Sequence, residues 1–527
     1  MRFFIQTFGC RLNRAESERT SDKLRAAGWF EVSRPAEAEL ILVNSCAVTG
    51  KAERGSRQFF SVVRATHPEA FLIAMGCATD GLAPGLYDMA ISTMQKDRAA
   101  ELLLARFEAG TCERSERGAT RLARGFLKVQ DGCNGACSYC IVAKRRGAPR
   151  FRAPEAVIEE AKSLVERGVG EIVVTGCNLS LYPNLANLLE RLIPLSQGVR
   201  WRIGSCEPSQ EIVRLAELMT STDRLCPYLH LPVQSGDDSI LARMRRPYRQ
   251  KELIGWIDTI RQLVPNLSLG GDFITGFPGE SAEAFNATVD FIRVADFAHL
   301  HVFPYSERPG TDAPKLDGAI PPSQRKARAK QLTDQGLRQK EIWHRRWNRL
   351  NCSCVIESID AAGNAKGWNE WYQLVSFPAC GRQRGKLVKL SQVTLALGSN
   401  LGNRELHIRR AVENLARIGV ILETAPNYEN NAQEFSGPPF LNTVLRLRTA
   451  LPPLELLHAC QQIEVELGRP ANHSPLQSRT IDIDLIDWQG TTLNTPELVL
   501  PHPRALQRDF VQIPLSQLAP AETPRPF

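Results

Sequence analysis

Three apolar runs near the N-terminus, RFFIQTFGC, LILVNSCAVT and AFLIAMGC, are separated by helical stretches, and each carries one cysteine at or near its end: Cys10, Cys46 and Cys77. Apolar strands that alternate with helices pair in parallel, because the crossover helix returns the chain to run in the same direction. The carboxyl ends of parallel strands share one rim, and ligands sit there. Three thiols far apart in sequence are thereby expected at one edge of a sheet. Residues 1–110 should form a parallel α/β domain, with one helix from Asn13 to Ala27 and a basic one after Lys51.

Such a layer accounts for a fifth of a 527-residue chain, so further domains must follow. No apolar run is long enough to span a bilayer, and MRFFIQTFGC lacks a small-residue cleavage site, so it reads as a first strand. The expectation is a cytoplasmic protein with no membrane partner. Fourteen cysteines in a reducing compartment call for metal ligation or packing and not disulfides. The net charge of +8 lies mostly before residue 381: the last 147 residues hold 15 Lys and Arg against 14 acids. A polyanion would meet the front of the molecule.

After a polar linker, TCERSERGATRL (111–122), a second strand–helix series begins. Its strand candidates are EIVVTG, WRIGSCEP, YLHLPVQSG, SLGGDFITGF and HLHVFPYS, with helices such as PEAVIEEAKSLVERG between them. A full or partial (β/α) barrel follows, with polar and Gly-rich strand ends placed for ligand contact. Early in this segment stands DGCNGACSYC, three cysteines in C-x3-C-x2-C spacing. Structural zinc would require a fourth ligand, and the next His is His230. A cluster held by three thiolates instead leaves one iron open to a small molecule.

Cys133, Cys137 and Cys140 resemble the signature of radical S-adenosylmethionine enzymes, in which S-adenosylmethionine fills the open position. The resemblance extends to residues 1–390 and to the methylthiotransferases, through TFGCRLNRAESE, VNSCAVT and MGCAT. It implies a second 4Fe-4S cluster on Cys10, Cys46 and Cys77, and an S-adenosylmethionine site formed by Thr175, Gly176, Ser205, Glu207, Gln234, Ser235 and Asp272. SCAVTGKAERGSRQ and HVFPYSERPGT resemble the branch acting on threonylcarbamoyladenosine beside the tRNA anticodon. The resemblance also implies an electron donor, flavodoxin-like or similar, and a sulfur donor. Lys144, Arg145, Arg146, Arg150 and Arg152 are read as phosphate-pairing charge. Residues 321–350, with nine Lys and Arg, two acids and two Trp, form a helix that suits RNA or a solvated face with packing Trp. Residues 348–390 resemble a degenerate version of the family's small β-barrel module.

From Val393 the pattern changes. VTLALGSNLGNRELHIRRAVENL, FLNTVLRL, QQIEVELGR, RTIDIDLIDW and VLPHPRAL resemble 6-hydroxymethyl-7,8-dihydropterin pyrophosphokinase. Asp482 and Asp484, two apart on a strand, project from one face, and such a pair suits Mg²⁺ bridging to nucleotide phosphates. Arg479 is placed to clamp transferring phosphates. The resemblance implies Gln461, Glu464 and His502 on the ATP side and Phe440, Asn442 and Phe510 around the pterin. Two departures stand out: GRPANHSPLQSRT, in which only His473 adds a potential cation between GR and RT, and YENNA after Ala425–Asn427.

The fold expected is multidomain: a parallel α/β domain (1–110), a radical S-adenosylmethionine partial barrel (119–347), a small β module (348–390) and a ferredoxin-like α+β domain (391–527). The function expected is bifunctional: methylthiolation of C2 of N6-threonylcarbamoyladenosine, and ATP-dependent pyrophosphorylation of hydroxymethyl-dihydropterin. The rivals are another tRNA adenosine or a ribosomal protein as substrate, and an RNA-binding iron–sulfur protein with a low-turnover pterin- or nucleotide-binding tail.

Overall fold

The computed structural model describes residues 1–46, 50–83, 85–107, 123–432, 436–470, 477–489 and 491–518. The linker 111–122 and His473 lie outside the described residues. Two compact units divide the chain, Met1–Glu341 and Ile342–Phe527.

The first unit opens with a five-stranded parallel sheet in the order β2-β1-β3-β4-β5: β1 (Arg2–Thr7), β2 (Phe30–Glu31), β3 (Leu40–Ser45), β4 (Phe71–Gly76) and β5 (Met89–Ile91). β3 is central, and all six of its residues are buried. Alternation sends its side chains to opposite faces. Leu40 and Leu42 join Phe3, Leu24 and Leu103 in the core under α1 (Arg11–Ala26) and α3 (Ala99–Arg106). Ile41 and Val43 meet Phe60 and Val63 of α2 (Gly50–Thr66). A strand that must bury both faces is apolar throughout, which explains LILV.

Six further parallel strands form the partial barrel. β6 (Arg124–Lys128), β9 (Glu171–Thr175) and β10 (Arg200–Ile203) make one sheet, and β11 (Tyr228–Gln234), β12 (Ser268–Thr275) and β13 (His299–Pro304) another. Parallel bridges Trp201–Leu225 and Ser205–His230 connect them. Helices α5 (Pro154–Glu166), α6 (Leu185–Leu192), α7 (Glu211–Thr220), α9 (Gln250–Leu263) and α10 (Ala282–Ala295) contribute Val157, Leu188, Ile212, Ile257 and Phe291 to one continuous core beneath the strands. The cysteine loop is closed at its base by antiparallel pairing of β7 (Gln130–Asp131) with β8 (Arg150–Phe151). α4 (Val142–Arg146) lies inside that loop, and α8 (Asp238–Arg243) follows β11.

The basic helix is α11 (Pro322–Trp347), within which the division between units falls. Its charge is not all at the surface. Arg325 and Arg328 are buried, with Arg328 paired to Glu280, while Lys326, Lys330 and Arg338 are exposed. In the second unit Trp347 stacks on Trp371 with ring centroids 5.8 Å apart.

One antiparallel sheet dominates the second unit: β14 (Cys352–Ile359), β15 (Asn364–Asn369), β16 (Leu374–Pro378), β17 (Leu387–Ser399), β18 (Val420–Thr424), β19 (Tyr428–Asn430), β20 (Phe440–Thr449) and β21 (Asp482–Trp488). β17 pairs with β14 through Leu387–Leu390 and with β20 through Ser391–Ser399. Leu390 and Ser391, on either side of the boundary drawn from sequence, are consecutive residues of this one strand. With α12 (Arg404–Leu415) and α13 (Pro453–Glu466), β17, β18, β20 and β21 follow the βαββαβ order of a ferredoxin-like fold. α14 (Asp509–Ser516) closes the described chain.

Candidate functional site

Cys10, Cys46 and Cys77 immediately follow or lie just beyond β1, β3 and β4, which are neighbours in the sheet, so one rim collects all three. Gly9 makes the approach possible. It holds φ +94°, and a Cβ there would stand 2.3 Å from Cys46 Cβ. A hydrogen bond with Cys46 brings the Cys10 thiol down to about 6; burial opposes this, and Arg146 adds to the lowering. A thiol ionised at neutral pH beside two others is a donor set that suits iron.

In the C-x3-C-x2-C loop, each sulfur accepts one N–H. Gly135 N donates to Cys133 Sγ at 3.2 Å, Arg246 Nη1 to Cys137 Sγ at 3.3 Å and Val142 N to Cys140 Sγ at 3.4 Å. Burial, with Cys137 and Cys133 nearby, pushes the Cys140 thiol up to about 11. Three sulfurs on one short loop, each already accepting an N–H, are a donor set that fits a cluster. Ser138 pins the loop: its amide and hydroxyl donate to Met244 O and Arg243 O, and its carbonyl accepts from Asp312 N and Ala313 N.

The two cysteine sites share one buried polar network. Glu16 of α1 accepts from Lys96 at 2.6 Å, Lys128 at 3.1 Å and Arg146 at 2.9 Å. Arg146 also donates to Asp131 Oδ1 and Asn13 Oδ1, each at 2.8 Å. Asn13 in turn donates to Phe8 O and Ser45 O, carbonyls just before Gly9–Cys10 and Cys46. Burial works against the charge on Glu16, yet Lys96, Arg146 and Lys128 hold its carboxyl well below the ordinary range. Asp131 falls to about 2 because Arg146 and Lys128 outweigh its burial.

This network corrects the reading of one of the AKRRG bases, Arg146. Arg146 is 3% exposed and committed to acids, so it cannot meet RNA phosphate. Arg150 pairs with Asp131 at 3.3 Å and Arg152 with Glu160 at 2.8 Å. Lys144 is exposed and donates to Gly310 O. Basic residues beside a metal loop read alike from sequence whether they face solvent or acids folded in from α1.

The residues expected to face S-adenosylmethionine lie at or near strand carboxyl ends. Thr175 ends β9, and Gly176 follows against the Gln130 side chain. Ser205 bridges to His230, and Gln234 ends β11 at φ +76°. Glu207 pairs with Arg246, and burial raises its carboxyl despite that partner. Arg246 therefore ties Glu207 to Cys137, a link that sequence reading missed; its signal was only a basic MRRPYR turn. Ser235 instead contacts Thr288 Oγ1 of α10 at 3.2 Å. Asp272 Oδ1 accepts from His230 at 2.9 Å and His301 at 3.1 Å, two histidines also missed. They hold Asp272 well below the ordinary range against the effect of burial.

In the second unit, Gly398 of β17 pairs with Asn442 on one side and Asp482 on the other, while Ala396 pairs with Asp484. Paired residues share a sheet face, so the Asp pair and Asn442 project together. Beside them a cleft of about 470 Å³ is lined by Gln461, Glu464, Arg469, Asp482 and Asp484, among others. Arg479 binds Asp482 Oδ2 at 2.7 Å and lies 5.7 Å over the Phe440 ring. Arg469, which sequence reading missed and which lies three residues beyond α13, bridges Glu464 and Asp482. Burial pushes Glu464 up to about 7, and burial with Asp482 does the same to Asp484. Carboxyls holding protons near neutrality, with Ser399 Oγ and Thr480 Oγ1 buried and unpartnered among the described residues, fit a hard cation and phosphates. Asn442 is engaged by Asn430 Oδ1 at 2.6 Å, inside the departed YENNA stretch. Burial, then Arg508 and Arg504, lowers His502. Phe510 packs beneath Arg508, another cation not picked out from the sequence.

A partial parallel barrel with a C-x3-C-x2-C loop at its strand ends is the framework of a radical S-adenosylmethionine enzyme, here with a second three-thiol site and an appended sheet carrying an Asp pair. Residues 127–292 match the Radical SAM superfamily, 2–90 the family described as uncharacterized protein family UPF0004, and 394–520 that of 7,8-dihydro-6-hydroxymethylpterin-pyrophosphokinase. The chain is 30% identical over 440 residues to tRNA-2-methylthio-N(6)-dimethylallyladenosine synthase of Syntrophotalea carbinolica, covering 76% of this chain and 99% of that one. Against threonylcarbamoyladenosine tRNA methylthiotransferase MtaB it is 30% identical for Thermotoga maritima (70% and 89% covered) and 32% for Bacillus subtilis (60% and 76%). The chain belongs to the radical S-adenosylmethionine tRNA methylthiotransferase family and carries a pyrophosphokinase-family segment behind it. The first family uses 4Fe-4S clusters and S-adenosylmethionine, the second ATP and Mg²⁺. Among the described residues no helix is long and apolar enough to cross a membrane.

Proposed function

We propose that the first unit installs a methylthio group at C2 of N6-threonylcarbamoyladenosine beside the tRNA anticodon, and that the second transfers pyrophosphate from ATP to 6-hydroxymethyl-7,8-dihydropterin. The observation that carries the first half is the shared network: two three-cysteine sites are tied together through Arg146, Asp131, Glu16 and Asn13. SCAVTGKAERGSRQ and HVFPYSERPGT support the threonylcarbamoyl substrate, as do the names of the Thermotoga and Bacillus relatives. On this reading residues 1–110 hold the auxiliary cluster, 119–347 the S-adenosylmethionine site, 348–390 an RNA-facing module and 391–527 the pyrophosphokinase. The protein works in the cytoplasm with tRNA, an electron donor and a sulfur donor.

When bound, S-adenosylmethionine supplies the methyl group and the radical, and the clusters the electrons. The chain's part is positioning. Arg246 keeps Glu207 beside Cys137, while the ends of β9 and β11 present Thr175, Gly176 and Gln234 to the ligand and β12 presents Asp272 three residues before its end. In the second unit Arg469 and Arg479 pair with Asp482 and hold its carboxylate in place, and Asp484 would release its proton to solvent as Mg²⁺ bound. Arg479 then stands where charge develops on the transferring phosphates.

Two assays test this. Nucleoside mass spectrometry of tRNA from cells lacking the protein should show loss of methylthio-threonylcarbamoyladenosine; an unchanged level rejects the substrate, and loss of methylthio-dimethylallyladenosine instead would assign the other adenosine. The purified chain should release AMP from ATP only with hydroxymethyl-dihydropterin, and Asp482→Ala should abolish it.

A further inference from the structure

Arg146 lies six residues beyond Cys140, yet its guanidinium ends at the other cysteine site. It is buried, and both terminal nitrogens are spoken for by Glu16, Asp131 and Asn13. Asn13 is the residue whose amide fixes the carbonyls of Phe8 and Ser45, and whose Oδ1 lies 3.9 Å from Cys10 Sγ. Asn13 Oδ1, 2.8 Å from Arg146 Nη2, is thus the one atom between the guanidinium and the Cys10 sulfur. Glu16, bonded to Nη1 of the same guanidinium at 2.9 Å, brings the opposite charge into the same network. The thiol set thus lies beside a network in which a cation and an anion are both buried, where charges act strongly.

We propose that Arg146 is the positioning residue that sets the reduction potential of the cluster held by Cys10, Cys46 and Cys77. This rests on the two-cluster reading above. One-electron reduction adds one negative charge to the cluster, and a buried guanidinium favours that form over the oxidised one. Glu16 offsets the effect and, through two N–H···O bonds shared with Asp131, keeps the guanidinium where it is. The loop that binds S-adenosylmethionine therefore delivers the charge that tunes the auxiliary site.

The test uses the full chain with Cys133, Cys137 and Cys140 replaced by Ala, so that only the auxiliary cluster is reconstituted. Its potential is measured by dithionite titration, in which dithionite is oxidised and the cluster reduced, read by the EPR signal. In this background Arg146→Met should lower the equilibrium constant for reduction at least tenfold, about 59 mV for one electron. Arg146→Lys, which keeps the charge, should stay within threefold of the parent. Glu16→Gln should shift the constant upward. A network that served only to hold the fold would lower iron content without shifts of opposite sign. Unchanged potentials in Arg146→Met and Glu16→Gln, or shifts of the two in one direction, with full iron content overturn the proposal. If Arg146→Met does not fold, Glu16→Gln decides: an upward shift supports the proposal and an unchanged or lowered constant overturns it. Failure of the parent background to bind iron would instead reject the two-cluster reading itself.

Discussion

Glu464→Gln isolates the cost of the cation site in the second unit. Glu464 is 6% exposed, and burial raises its carboxyl to about 7 even with Arg469 bonded at 2.7 Å. Unfolded, the same carboxyl titrates near 4.3. Below that value both states bind the proton and Glu464 has no pH-dependent effect. As pH rises toward 7, the unfolded state ionises freely while the folded state holds its proton, so stability falls; above 7 the loss is constant. Its size is about 3–4 kcal/mol. Gln keeps the Oε1 that accepts from Ile483 N and Arg469 but carries no charge. The variant should therefore match the parent near pH 4 and exceed it by about 3 kcal/mol at pH 8, while binding Mg²⁺ with ATP more weakly. Urea titrations at several pH values, with unfolding of the β21 peptide read by pulsed hydrogen exchange, measure the difference. A variant no more stable at pH 8 than at pH 4, relative to the parent, refutes the reasoning.

Gly9→Ala places a Cβ against Cys46 at a backbone φ of +94°, so iron analysis should show about half the parent's iron, with the Cys133 site still loaded. Mg²⁺ affinity in the presence of an ATP analogue, measured by calorimetry, should rise as pH climbs from 6 to 8, because Asp484 must release a proton held to about 7 by burial and Asp482. Glu171 is fully buried between Arg200 at 2.6 Å and Arg202 at 2.9 Å. Glu171→Gln should destabilise the barrel by about 3–5 kcal/mol, read by denaturant unfolding. The pair overrides burial to hold the Glu171 carboxyl below its unfolded range, so its contribution persists above about pH 4.3 and disappears as pH falls further; the variant should lack that acid-dependent step.

Much of the architecture was legible because periodicity reports burial. LILVNS reads as a strand covered on both faces, and PEAVIEEAKSLVERG as a helix with one apolar stripe, whatever they pack against. The cysteine spacing was legible for a similar reason: C-x3-C-x2-C is a local geometry. The Asp pair of RTIDID was too, since two residues along a strand return to one face. Arg146 was misread because its partners, Glu16 and Asn13, lie 130 and 133 positions away. The roles of Arg246, Arg469, His230 and His301 were not legible for the same reason, since a single basic or titratable residue carries no periodic signal.

By itself, then, the sequence determined which segments are strands and helices, which thiols end up at strand ends, and which carboxylates share a face, because those properties follow from local backbone geometry and the burial of apolar side chains. Only the tertiary structure decided what each charge does. Arg146 became an internal cation and not a phosphate contact. Glu464 and Asp484 came to hold protons near neutrality. Leu390 and Ser391 became neighbours in one strand joining the small β module to the pyrophosphokinase sheet. A charge is defined by its partners and its distance from water, and chain folding alone brings those together.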